Sequence, residues 1–220
     1  MSSVVTASRQ LFGRPSWRGR MHTWTFVAAV PAGLMLIAVA DGSTARAAAA
    51  IYAATLVLVF GTSAAYHRLT RTERARAIMQ RVDHSMIYLL IAGTYTPLCL
   101  VALPPRWGLP ILCIVGMLAV IGVVFKLVAF DRMGRITYAL YPAMGWMAIV
   151  AAPALLHHLS PAELLLILAG GLAYTAGLPV LLVRRPDPWP TLFGYHEVWH
   201  VMTIVAAALH FAAVYNLLDV

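Results

Sequence analysis

The sequence predicts an all-α fold: a bundle of seven transmembrane helices, N-terminus in the cytoplasm and C-terminus outside. Three observations carry this reading. The 220 residues are 61% hydrophobic and only 11% charged, whereas a soluble domain is roughly a quarter charged. Seven stretches free of Asp, Glu, Lys and Arg (21–40, 47–66, 84–105, 107–125, 136–162, 164–183 and 198–218) approach or exceed the roughly 20 residues that a helical crossing needs. The basic residues between them fall almost wholly on one side. A closed β-barrel, the other way to span a bilayer, would alternate apolar and polar residues, and runs such as Leu56–Phe60 and Leu164–Ala169 do not.

Residues 1–20 form a short basic arm, and 21–220 a single membrane domain with no room for a soluble module. Span one runs from about Thr23 to Ala40. Arg14, Arg18 and Arg20 precede it as in a signal peptide, but no small-residue cleavage site follows, so the span is expected to be retained. Asp41-Gly42-Ser43 turns outside, and span two runs from about Ala47 to His67. The basic stretch Arg68–Arg81 lies inside, with scope for a short surface helix. Span three starts near Asp83 and stops before Pro104-Pro105; span four runs from about Leu109 to Val128. Span five begins near Ile136, and its outer end holds His157, His158, Ser160 and Pro161. Glu163 opens span six, the three prolines of Arg184–Pro190 bring the chain back inside, and span seven runs from about Tyr195 to Leu218. Cys99 and Cys113 are too few for a disulfide framework and read as small core residues.

A net charge of +8 invites a nucleic-acid reading, but placement excludes it. With the N-terminus inside, only Arg46 and Arg106 of the sixteen Lys and Arg residues lie outside. Basic residues retained in the cytoplasm set topology, and that face is suited to anionic lipid headgroups. Membrane lipid is the expected partner.

Ionisable residues within spans are costly and mark functional sites. His67 closes span two, Asp83 opens span three, and His196, Glu197 and His200 open span seven, all at the inner boundary. His196 and His200 are spaced i, i+4, which sets their side chains about 6 Å apart on one helix face. That suits two ligands of one tetrahedral ion, with His67 as the third. Three nitrogens with one open position is the pattern of catalytic zinc. Ser63, one turn before His67, is placed to hydrogen-bond that imidazole or a bound water. Asp83 is placed to orient a ligand, hold the water or act as general base. His84 points about a quarter-turn away. His210, roughly 15 Å beyond His200 along the helix, reads as a buried hydrogen-bonding residue; His22, His157 and His158 read as interfacial.

His196-Glu197-Val198-Trp199-His200 also matches HExxH, in which the glutamate is the base of a metalloprotease. That chemistry needs a third ligand, and Asp219 lies about 28 Å along the same helix. A protease is therefore the weaker reading.

At these residues the chain resembles the hemolysin III family, the bacterial branch of the progestin and adipoQ receptor superfamily, itself related to alkaline ceramidases. The resemblance rests on Ser63-Ala64-Ala65-Tyr66-His67, on Asp83-His84-Ser85-Met86-Ile87-Tyr88 running into Ala92–Pro97, and on Tyr195–His200. It implies a zinc ion held by His67, His196 and His200, with Asp83 acting through water and Ser63 nearby. It further implies a bacterial inner-membrane protein of lipid homeostasis, without the long N-terminal region of the receptors. The expected activity is zinc-dependent hydrolysis of a lipid amide or ester that enters laterally, with Asp83 or Glu197 managing protons. A non-enzymatic lipid or fluidity sensor with structural zinc is the alternative, and a lytic haemolysin a lesser one, because no span carries the polar stripe of a pore.

Overall fold

The structure, a computed structural model, describes residues 15–219. Arg9 and Arg14 of the basic arm, and Val220, lie outside the described residues. The helices are α1 (Arg20–Val39), α2 (Gly42–Leu69), α3 (Glu73–Pro97), α4 (Pro105–Val128), α5 (Gly134–Gly145), α6 (Ala152–His158), α7 (Pro161–Val183) and α8 (Tyr195–Leu218). Helices α1 to α4, α7 and α8 are each long and apolar enough to cross a membrane. The segments Ile136–Ile149 and Ala152–His158 meet that test together, bent by 54°, and as one broken span complete the seven crossings.

Local sequence explains where the helices begin. Ser160 and Glu163 cap α7 reciprocally: the serine hydroxyl accepts from the Glu163 N–H, and Glu163 Oε2 accepts from the Ser160 N–H at 2.7 Å. Pro161 occupies the first turn, where its missing N–H costs nothing. Thr72 caps α3 by accepting from the Ala75 N–H. That cap moves the start of α3 ten residues ahead of the expected Asp83. Most of the basic stretch 68–81, given scope for a short surface helix of its own, instead forms the first turns of α3. Likewise α2 begins at Gly42, so Ala40 and Asp41 alone link it to α1.

The fifth span is not the continuous helix expected over 136–162. Pro153 has no N–H to offer the carbonyl four residues back, and a 3-10 turn over Trp146–Ile149 separates α5 from α6. The Tyr95 hydroxyl services this break from α3: it donates to the Gly145 carbonyl at 2.8 Å and accepts from the Ala148 N–H at 2.7 Å. Helix α3 itself widens into a π-turn over Leu98–Ala102. There Gly108 of α4 lies against the Cys99 carbonyl so closely that a Cβ would collide with it. Both cysteines are free, Cys99 buried and Cys113 exposed.

Neighbours in sequence pack side by side from α1 to α4, α7 packs along α8, and α1 returns to α8. Two apolar clusters fill the bundle. One joins α3, α4, α5 and α6 through Tyr88, Val115, Met144 and Leu155. The other joins α1, α2 and α8 through Leu36, Tyr52, Phe60 and Val214. Many large apolar residues face outward, including Met117, Val120 and Val124 of α4. Water would penalise such a surface and lipid does not.

Candidate metal centre

The last turn of α2 carries His67, and the first two turns of α8 carry His196 and His200. Each offers one nitrogen, and the three nitrogens lie within 4.8 Å of one another. His196 Nε2 and His67 Nε2 are 3.2 Å apart. The ring centroids stand 4.9 Å (His67 to His196), 5.1 Å (His67 to His200) and 4.5 Å (His196 to His200) apart. Ligand nitrogens on a tetrahedral zinc, with bonds of about 2.0–2.1 Å, stand roughly 3.3 Å from each other. One edge of the triangle already has that length. Among the described residues His200 Nδ1 is buried without a hydrogen-bond partner, as is Nδ1 of His22. The three residues fit a metal ion.

Helix packing brings further groups to this level. The hydroxyl of Ser63, buried one turn before His67, faces the Asp83 carboxylate on α3. Glu197 is fully buried. Its Oε2 accepts from the Gly194 N–H at 2.9 Å, closing the cap of α8, and its Oε1 accepts from Arg18 Nε. Both carboxylate oxygens are thus engaged in holding the chain together. Arg18 sits in a short strap that leads into α1: Ser16 N–H donates to the Thr191 carbonyl at 3.0 Å and Trp17 N–H to the Leu192 carbonyl at 3.2 Å. At the strap's end Gly19 adopts φ +76°, where a Cβ would also strike the His67 side chain. The strap lies across this end of the histidine cluster.

His22 departs from its expected interfacial role. Only 5% of it is exposed, and its ring lies on the ring of His200, centroids 3.8 Å apart and planes within 10°. Composition at the inner end of α1 held a usable signal: His22 stands at the same depth as the other three. Arg18 had none, since nothing in its spacing distinguishes it from the other arginines of the arm.

The remaining histidines fall as their spacing predicts. His84 turns to α5, where the Tyr141 hydroxyl donates to its carbonyl at 2.8 Å and its ring packs near Tyr138. The Lys126 ammonium sits 4.1 Å above the Tyr138 ring. His210 Nε2 hydrogen-bonds the Ile167 carbonyl at 3.2 Å. His157 and His158 are exposed at the end of α6. Asp219 caps the opposite end of α8, out of reach of the cluster.

Beside this level opens an apolar cavity of about 400 Å³ between α3, α5, α6, α7 and α8. Its wall includes Trp199, next to His200, and Tyr141, which holds the His84 carbonyl beside Asp83. It extends along α8 to His210 and Val214.

A sequence model described as Haemolysin-III related matches residues 11–211. Hemolysin-3 of Bacillus cereus is 33% identical over 217 residues, covering 97% of this chain and 96% of that protein. The Hemolysin-3 homolog of Bacillus subtilis is 33% identical over 164 residues, 74% of each chain. The heptahelical transmembrane protein ADIPOR2 of Oryza sativa subsp. japonica is 30% identical over 173 residues, 71% of this chain and 76% of that protein.

Proposed function

The chain belongs to the haemolysin-III-related family of integral membrane proteins, and we propose that it is a zinc-dependent hydrolase of a membrane-lipid amide or ester in the bacterial inner membrane. The observation that carries this reading is the convergence of three imidazole nitrogens at the level where a largely apolar cavity begins. A polar centre alone would suit many chemistries. A polar centre one residue along α8 from the wall of a cavity lined almost wholly by apolar atoms suits a molecule with a headgroup and an acyl chain.

His67, His196 and His200 would hold the ion and leave one position open. Bound there, zinc supplies Lewis acidity, which polarises an acyl carbonyl and acidifies water. Asp83 is the proton carrier: it accepts the proton of the attacking water and returns it to the leaving nitrogen or oxygen. Ser63, facing the carboxylate, orients it. Glu197 is less suited to that task, because Arg18 and the Gly194 N–H already occupy its oxygens. The cavity takes the acyl chain, and the carbonyl then rests near the histidines.

Two measurements on detergent-purified protein test this together. Elemental analysis should find near one zinc per chain, lost in His196→Ala/His200→Ala. Fatty-acid release from a ceramide or a phospholipid should fall by about 10²–10⁴-fold in Asp83→Asn, the usual contribution of a positioned acid–base, with zinc retained. Zinc binding with no turnover on either lipid class would favour a sensor with structural zinc. Absence of metal from the wild type would end both readings.

A further inference from the structure

His22 is placed to do more than fill space, and its geometry addresses a gap in the cluster. A histidine that ligates a metal ordinarily donates its other ring N–H to an acceptor, which fixes its tautomer and the direction of its ring. His200 has no such acceptor among the described residues: its Nδ1 is buried and unpartnered. The face of its ring is instead covered by His22, 3.8 Å away and nearly parallel. His22 is itself fixed from two sides. Phe60 of α2 meets it edge-on at 5.1 Å, and its Nε2 lies 3.3 Å from Thr203 Oγ1. The Thr203 hydroxyl gives its single proton to the His200 carbonyl at 2.8 Å, so it accepts from His22 Nε2–H. One turn of α8 therefore holds His22, and His22 in turn holds the ring that the same turn presents.

We infer that His22 is a positioning residue for the metal centre, which aims the His200 imidazole by stacking on it and is not itself a ligand. The stack supports the second half of that statement. A ligating nitrogen directs its lone pair in the plane of its ring; His22 lies flat on His200 with Nε2 committed to Thr203, and its Nδ1, buried and unpartnered, is not among the nitrogens that gather within 4.8 Å. Stacking requires a flat ring; ligation requires a nitrogen. The two roles separate by substitution.

The inference rests on the metal-binding reading above, and the test keeps the two apart. Zinc affinity is measured by chelator competition, and the cobalt-loaded protein is examined by its visible absorption, which reports ligand number and symmetry. His22→Phe keeps a flat ring and should stay within about threefold of wild type, with an unchanged cobalt spectrum. His22→Leu fills the volume without the ring and should weaken affinity by about tenfold, the lower range for losing a ligand's supporting partner, and shift the cobalt bands. Thr203→Val, which frees the His22 ring, should move both readouts in the same direction. The inference is overturned if His22→Phe loses metal as fully as His200→Ala, which would make His22 a ligand. It is equally overturned if His22→Leu binds like wild type, which would make the stack mere packing. Wild type without metal sinks this inference together with the proposed function, whereas zinc in wild type and undisturbed His22→Leu removes this inference alone.

Discussion

At the head of α8 the Glu197 carboxylate is sealed from solvent and held by one cation, Arg18, whose side chain is 16% exposed. An ion pair of this kind adds little over an apolar replacement, because desolvation offsets the attraction. Removing one partner is different, since it strands a charge. Arg18→Ala should therefore destabilise the protein by about 3 kcal/mol or more, read as a lower denaturation midpoint in detergent. Adding Glu197→Gln to that variant should recover part of the loss, because the amide keeps an oxygen for the Gly194 N–H and carries no charge. An Arg18→Ala midpoint equal to wild type would remove the clamp from the account. The polar groups brought together here differ in how legible they were. The i, i+4 spacing of His196 and His200 and the shared depth of His67 and Asp83 stand in the sequence. The Arg18 contact spans 179 positions and depends on how the strap crosses the α7–α8 connection, which no local pattern encodes.

Among the elements, the fifth span departs most from its sequence reading. A helix broken inside a membrane leaves backbone groups that lipid cannot satisfy, and the neighbouring helix must do so. Tyr95 meets this need with one hydroxyl that both donates to Gly145 and accepts from Ala148. Tyr95→Phe should cost about 1–3 kcal/mol, the penalty of leaving a buried backbone group unpaired, measured by unfolding in mixed micelles. A variant as stable as wild type would mean that the break finds other partners. Pro142 and Pro153 stand in the sequence, although the span was expected to be continuous. Their sequence could not say whether the helix would kink and continue or break and turn. That depended on a tyrosine 50 residues away being in position to stabilise the broken form. The start of α7 tells the opposite story: the Ser160-Pro161-Ala162-Glu163 cap is entirely local, and the structure follows it.

For the whole molecule, the basic residues argue for an internal N-terminus and thus for a histidine cluster on the cytoplasmic side. With Cys99 and Cys113 replaced, Ser43→Cys and Glu73→Cys test this, since both positions are exposed at opposite ends of neighbouring crossings. A membrane-impermeant maleimide added to intact spheroplasts should label Ser43→Cys and leave Glu73→Cys unlabelled until the membrane is opened. The reverse pattern would invert the protein and place the histidines outside. By itself the sequence determined the class, the seven crossings, the expected orientation and the level at which the ionisable groups gather. Those follow from hydropathy, from charge and from position along a helix of fixed rise, all of them properties of the chain read in one dimension. Tertiary structure decided that His22 stacks on His200, that Arg18 neutralises Glu197, and that a cavity opens beside Trp199. Each of these depends on the rotation of one helix against another, a quantity set by packing among distant residues, so it exists only once the bundle is assembled.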